Sequence, residues 1–207
     1  MRKFASVRMA AGLLELRDLA ADDVPAIVDY WLHSPAEFLD AMGVDRARLG
    51  SAEQIHERFA TAVPTRDSGQ SRMAFGIWLD QKFAGYTLLN RYSDEMNYSH
   101  WHIVDANLRA KGLSTALYPW RIKTFFEVTP IARLIHQTRT SNIGVNRMLD
   151  KFVAVAESVF VEKPDGVGVP AYFNHRYVRR EDVPRIFARA RELGIVTPAE
   201  IEQAKLA

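Results

Sequence analysis

Trp101-His102-Ile103-Val104-Asp105-Ala106-Asn107-Leu108-Arg109-Ala110-Lys111-Gly112-Leu113-Ser114-Thr115-Ala116 is the stretch on which the reading of this chain turns. A strand-like segment ends, a short loop follows, and a helix opens at a basic, glycine-containing turn. Such a turn presents free backbone N–H groups and the positive end of a helix dipole. Gly112 lets a ligand approach the backbone closely, and Arg109 and Lys111 add positive charge. The combination suits a phosphate or diphosphate. A solvated helix cap uses the same residue types, so the turn alone leaves both readings open.

Outward from this turn the chain alternates between two periodicities. On the N-terminal side, residues 98–104, 83–90 and 73–79 read as strands, the last two joined at Asp80-Gln81-Lys82. Before them come three helical segments. The first starts at Ala21-Asp22-Asp23 and Pro25 and carries Ile27, Val28, Trp31 and Leu32. The second starts at Ser34-Pro35 and stops at Gly43. The third spans 51–62 and opens on a Ser51/Gln54 capping box. Residues 13–19 form an earlier strand. On the C-terminal side a helix spans 111–128, a strand 132–138, a helix 145–152, and strands 154–162 and 171–178. The tail is helical twice, with a break at Gly194 and a restart at residues 197–200. This order predicts an α/β (α+β) fold, a mixed sheet with helices packed on it.

The chain has 207 residues, 48% hydrophobic and 25% charged, enough to bury a core without staples. It has no cysteine, which removes thiolate nucleophiles, disulfides and Cys-ligated zinc together. A net charge of +2, with no aromatic–basic ladder, gives no reason to expect a nucleic-acid partner. No apolar run approaches the ~20 residues of a membrane helix. The N-terminal apolar stretch is interrupted and lacks a cleavage site, so no signal peptide is expected and a cytoplasmic location is.

Arg109-x-x-Gly112-x-Ser114 resembles the Arg/Gln-x-x-Gly-x-Gly/Ala pyrophosphate loop of the GNAT superfamily of acyl-CoA N-acyltransferases. Downstream, Asn142-x-x-Val145-x-x-Met148-Leu149-Asp150-Lys151 is similar to that family's second signature. Residues 14–19 with Asp23, and the turn from Asp80 to Gly85 leading into Tyr86, look like its earlier strands and first helix. The resemblance covers roughly residues 13–178. It implies a mostly antiparallel GNAT-like sheet in a domain spanning 13–178, with an N-terminal extension over 1–12 and a helical C-terminal extension over 179–207. Three departures stand out: Ser114 for Gly or Ala, Val153-Ala154 for Gly-Phe, and Leu149 for the tyrosine that protonates the departing thiolate in many members. Other members lack it too, and the resemblance there leaves the proton to water or another group.

The reaction so implied is direct attack of a neutral primary amine on the thioester of acetyl-CoA or another acyl-CoA. It needs no covalent intermediate, in keeping with the absence of cysteine. The resemblance places the diphosphate on backbone N–H groups of Arg109, Ala110, Lys111, Gly112, Leu113, Ser114 and Thr115. The pantetheine pairs with the backbone of His102, Ile103 and Val104, and Asn142, with Asn146 beside it, contacts the cofactor arm. Tyr98, His100, His102 and Val104 share one strand face, which the resemblance turns toward the acyl group and the amine. An imidazole titrating near pH ~6.5 suits a base there; hydrogen-bonded core histidines are the plainer reading. No third ligand completes a metal site with His100 and His102, and no metal is expected. Glu37, Asp40 and Asp45 either hold a cationic amine or form a solvated face, and Trp31, Phe38 and Met42 line a pocket or fill the core. The tail either covers a sheet edge or mediates a homodimer. A donor on an acyl carrier protein, a longer acyl-CoA, and a CoA-binding regulatory domain without turnover are the competing readings.

Overall fold

The computed structural model describes residues 1–60, 72–164 and 166–196. Its centre is one eight-stranded sheet in the order β1-β2-β3-β4-β5-β6-β8-β7. The strands are β1 (Lys3–Met9), β2 (Gly12–Asp18), β3 (Arg72–Leu79), β4 (Lys82–Arg91), β5 (Met96–Ile103), β6 (Arg133–Arg139), β7 (Glu157–Val161) and β8 (Ala171–Arg179). Every neighbouring pair is antiparallel except β5–β6, which is parallel. A parallel pair needs a crossover, and α4 (Leu113–Val128) supplies it. The mixed, mostly antiparallel sheet read from the sequence is the observed one.

Two faces of the sheet carry different helices. On one lie α1 (Val24–His33), α2 (Ala36–Met42) and α3 (Ala52–Ala60). Ile27, Ile55 and Phe59 pack there on Ala74, Tyr86 and Leu88. On the other lie α4, α5 (Ile143–Leu149) and α6 (Val183–Glu192), packed on Leu14, Leu16, Phe75 and Leu134. Sequence signals set the helix ends. Ser51 and Gln54 make the reciprocal capping box, with Gln54 N–H donating to Ser51 Oγ (3.3 Å) and Ser51 N–H to Gln54 Oε1 (2.9 Å). Gly43 ends α2 in the left-handed region at φ 75°. The β3–β4 hairpin turns on Asp80 (φ 46°) and Gln81 (φ 66°), two consecutive left-handed residues as a tight hairpin requires.

The sheet and its core take in residues on both sides of 13–178. Residues 3–9 form β1, which pairs with β2 from Lys3↔Arg17 to Met9↔Gly12. Ala5 and Val7 alternate inward and are buried, a period-2 pattern too short to stand out beside the basic residues. At the other end, Ile186, Phe187 and Ala190 of α6 join the same core as α4, with Phe187 edge-on to Trp120 at 5.0 Å. The expected helical restart at 197–200, and the end of the third helix at residue 62, lie outside the described residues. Among the described residues no helix is long and apolar enough to cross a membrane.

Candidate active site

The site begins where two strands part. β5 is paired with β4 from Arg91↔Asn97 to Gly85↔Ile103, but with β6 only at Met96↔Arg133, Asn97↔Leu134 and Tyr98↔Ile135. From Ser99 to Ile103, β5 has a strand partner on one edge alone. An extended ligand can pair with such an edge like an added strand. The wedge opens into a cleft of about 1570 Å³. That exceeds the ~300–1,000 Å³ of a single small-ligand pocket and suits two molecules meeting in one space. The loop before β8 closes one rim. Val169 N–H donates to Gly43 O (3.0 Å), Asp45 N–H to Val167 O (2.6 Å) and Arg48 Nη1 to Gly168 O (3.0 Å).

At the mouth sits the basic turn. Asp105 accepts from Asn107 N–H (2.9 Å) and folds residues 106–108 into one 3-10 turn. Ala110 (φ 59°) and Gly112 (φ 82°) are both left-handed, and Gly112 caps α4. Ala116 N–H donates to Gly112 O (3.0 Å). The N–H groups of Leu113, Ser114 and Thr115 therefore precede the helix's own ladder and have no acceptor within it. A Cβ at Gly112 would find only Met9 Cε, at 3.9 Å, so the space beside it is open. Open space, orphan donors and a helix dipole fit a diphosphate.

Two of the expected backbone contacts are used inside the protein. Arg109 N–H donates to Ala106 O (3.3 Å) and Val104 N–H to Ala84 O (2.9 Å). The Arg109 guanidinium turns inward rather than toward the turn. Its Nε donates to Ile103 O (3.1 Å) and Nη2 to Val104 O (3.2 Å), and it lies 3.9 Å from the Phe38 ring centre. Arg109 thus ties the end of β5 to α2, which sequence spacing alone does not disclose.

Asn142 and Asn146 divide between the two readings given them. Asn142 caps α5 by accepting from Val145 N–H (3.2 Å), and it lines the cleft. Asn146 is buried and spent. Its Nδ2 donates to Arg139 O (2.8 Å) and Asn142 O (2.9 Å), and its Oδ1 accepts from Asn174 Nδ2 (3.0 Å) and Arg176 Nη1 (2.9 Å). It locks α5 to β8 and has no capacity left for a cofactor. Leu149, in the position of the missing tyrosine, is fully buried in the core.

Tyr98, His100 and His102 line the cleft, as do Ser99, Trp101 and Ile103 beside them. The ring centres of His100 and His102 are 5.4 Å apart, and Tyr98 is 5.1 Å from His100. His102 sits in an aromatic cage, stacked on Tyr86 (5.1 Å) and edge-on to Trp31 (4.9 Å) and Tyr30 (5.5 Å). Tyr30 Oη lies 3.0 Å from His102 Nδ1 and 3.4 Å from Met42 Sδ, and Trp31 Nε1 donates to Tyr86 Oη (2.9 Å). The single Tyr30 proton can go to His102 Nδ1 or to Met42 Sδ, and the His102 tautomer decides which. Beneath them His136 is held between Tyr118 Oη (3.2 Å from Nε2) and Ser99 O (3.3 Å from Nδ1).

Electrostatics correct the expectation of an ordinary imidazole. Desolvation, then the Arg109 guanidinium, push His102 down to about 3. Desolvation, His102, Arg72 and Arg121 hold His100 well below 6.5. Both rings are neutral across the physiological range and are weak proton acceptors there. The His100 Nδ1 atom is buried without a hydrogen-bond partner among the described residues.

The carboxylates named from the sequence stay out. Glu37 and Asp40 are exposed, Asp40 pairs with Arg46 (3.7 Å), and Asp45 accepts from Ala47 N–H (3.1 Å). None of them lines the cleft. Tyr30, Tyr86, Arg58 and Arg72 do, and the sequence reading missed all four. Only strand register and helix packing bring them to the histidines. Among the described residues no three His, Cys, Asp or Glu side chains gather as metal ligands.

No protein-family model matches the chain, and no curated protein matches it. Solved structures do. RimJ of Mycobacterium smegmatis, in complex with CoA-disulfide, superposes with a TM-score of 0.73 at 15% identity over 93% of this chain and 95% of its own. The aminoglycoside acetyltransferase AAC(6')-Ib, in complex with coenzyme A, gives 0.64 at 15% identity, covering 83% and 98%. An acetyltransferase of the GNAT family from Bacillus anthracis gives 0.65 at 14% identity, covering 87% and 99%.

Proposed function

We propose that this chain, which has the fold of the GNAT acetyltransferases, is an acyl-CoA-dependent N-acyltransferase. It transfers an acetyl or other short acyl group to a primary amine by direct attack in a ternary complex. The observation that carries the reading is the wedge: β5 and β6 part after Tyr98↔Ile135, with the left-handed Gly112 turn and the first N–H groups of α4 at its mouth. In this reading Leu113, Ser114 and Thr115 N–H groups, with those of Ala110, Lys111 and Gly112, hold the diphosphate. The free edge of β5 beside His102 and Ile103 pairs with the pantetheine. Acyl-CoA supplies the activated thioester.

The chain's own residues then orient the amine. A neutral His100 or His102 nitrogen accepts an N–H of the incoming amine and aims its lone pair at the carbonyl carbon. An imidazole held this far down does not strip a proton from an ammonium ion. It takes the proton only after the C–N bond has formed, when that proton is far more acidic. Tyr98, next to His100, completes the polar wall. Leu149 offers no hydroxyl, so water or another group protonates the thiolate.

The test is calorimetry with acetyl-CoA followed by thiol release with mixed amines. Micromolar binding with turnover supports the enzyme; binding without thiol release favours a regulatory domain. The pH dependence adds a second check. Activity is expected to rise with pH through the pKa of the acceptor amine, and the profile to shift when the amine is changed. A profile fixed at pH 6–7.5 for every amine would restore the titrating histidine base.

A further inference from the structure

Three strands lay out the acceptor half of the cleft as a grid. Register puts Arg72, Asn90 and Tyr98 in one row across β3, β4 and β5. Ala74, Leu88 and His100 form the next row, and Gly76, Tyr86 and His102 the third. Residues two apart on a strand share a face, so Arg72 stands on the face that carries the histidines. It lies two strands across and two residues along from His100, roughly 12 Å between Cα atoms from ordinary strand spacings. The arginine and histidine side chains narrow that to the span of a small molecule. Between them Leu88 and Tyr86 of β4 line the cleft.

The charge of this half is one-sided. Seven arginine and lysine residues line the whole cleft, and among the described residues no aspartate or glutamate does. Some of the seven have other work, as Arg109 shows. Arg72 is different. Its Nε donates to Asn90 Oδ1 (2.9 Å), which fixes the plane of the guanidinium, and among the described residues it forms no ion pair. Burial and the neighbouring Arg58 guanidinium both lower its pKa. An oriented, partly buried arginine fork is suited to a carboxylate or phosphate.

We propose that the acceptor is an amine that also bears an anionic group, a carboxylate or a phosphate, with Arg72 holding the anion while the amine reaches His100 and His102. This rests on the acyltransferase reading of the same cleft. It makes the site hostile to polycationic amines, since the described wall offers them no counter-ion.

The experiment compares four amines of similar size and basicity: β-alanine, aminoethyl phosphate, propylamine and 1,3-diaminopropane. Thiol release from acetyl-CoA gives kcat/KM for each. The two anionic amines are expected to lead propylamine by tenfold or more, with the diamine last; which anionic amine leads distinguishes carboxylate from phosphate. Arg72→Gln should erase that lead by raising KM for the anionic amines, while acetyl-CoA affinity stays as it was; Arg72→Lys should restore part of it. If Arg72→Gln fails to fold, added sodium chloride on the unaltered protein decides, because it should raise KM for β-alanine and not for propylamine. Equal rates for the four amines, a preference for the diamine, or an anion preference that survives Arg72→Gln would overturn the proposal. Should acetyl-CoA bind without any turnover, calorimetry of the same amines on the CoA complex still reads the order, so loss of the acyltransferase reading and loss of the anion site give different results.

Discussion

Replacing Gly112 by Asp tests the diphosphate assignment at its most exposed point. Two costs can be separated. The first is conformational: at φ 82° a residue with a Cβ pays about 1–2 kcal/mol. No steric cost adds to it, because the nearest atom to a new Cβ is Met9 Cε at 3.9 Å. The second is electrostatic. A carboxylate about 4 Å from a bound diphosphate charge costs about 1–4 kcal/mol over effective dielectrics from water to a protein surface, a roughly fivefold to thousandfold loss of affinity. Gly194→Asp is the control. Gly194 has φ 67° and nothing within 4 Å of its missing Cβ, so it pays the backbone cost without facing the cleft. Both variants should lose similar amounts of thermal stability, and only Gly112→Asp should lose coenzyme A affinity in calorimetry. Unchanged affinity in folded Gly112→Asp would remove the turn from the donor site and leave the wedge without its anchor.

Acid should unfold the protein earlier than its carboxylates alone require. His136 is buried and pushed down to about 3 by desolvation and Arg121, so the unfolded state binds more protons below its own pKa of 6.5. The stability from this group is full above pH 6.5 and declines as pH falls toward 3, by about 2 kcal/mol at pH 5; denaturant titrations at pH 7 and 5 should show the drop, and His136→Leu should shrink it. Phe187→Ala, which removes a buried ring stacked edge-on to Trp120, should cost about 3–5 kcal/mol, and deleting residues 183–207 should leave a molten protein by near-ultraviolet circular dichroism. A truncated protein with sharp thermal unfolding would show that α6 is dispensable. Asn146→Leu should destabilise by more than 2 kcal/mol, because Arg176 Nη1 and Asn174 Nδ2 lose their acceptor in a buried site. Wild-type stability in that variant would return Asn146 to the list of ligand-binding candidates.

Local chemistry carried much of this protein into legible sequence. The Gly112 turn, the capping box at Ser51, the Gly43 stop and the period-2 face of Tyr98, His100 and His102 each depend on neighbours a few residues away. A reader of the chain can therefore place them. The mixed sheet followed from the order of such elements. Long-range register decided the rest. Whether β5 and β6 pair along their length or part after three residues depends on strands more than thirty residues apart, and no local pattern encodes it. Arg72 reached the cleft wall because β3 and β4 align it with Tyr98, while Glu37 and Asp40 stayed outside because α2 turns its acidic side to water, and Asp45 because it caps the turn that follows. Burial, a property of the whole fold, took two histidines of ordinary promise and made them neutral. The Arg109 side chain makes the same point in one residue: its position beside Gly112 is written in the chain, and its direction is set by Phe38 and two carbonyls that only the packed structure brings to it.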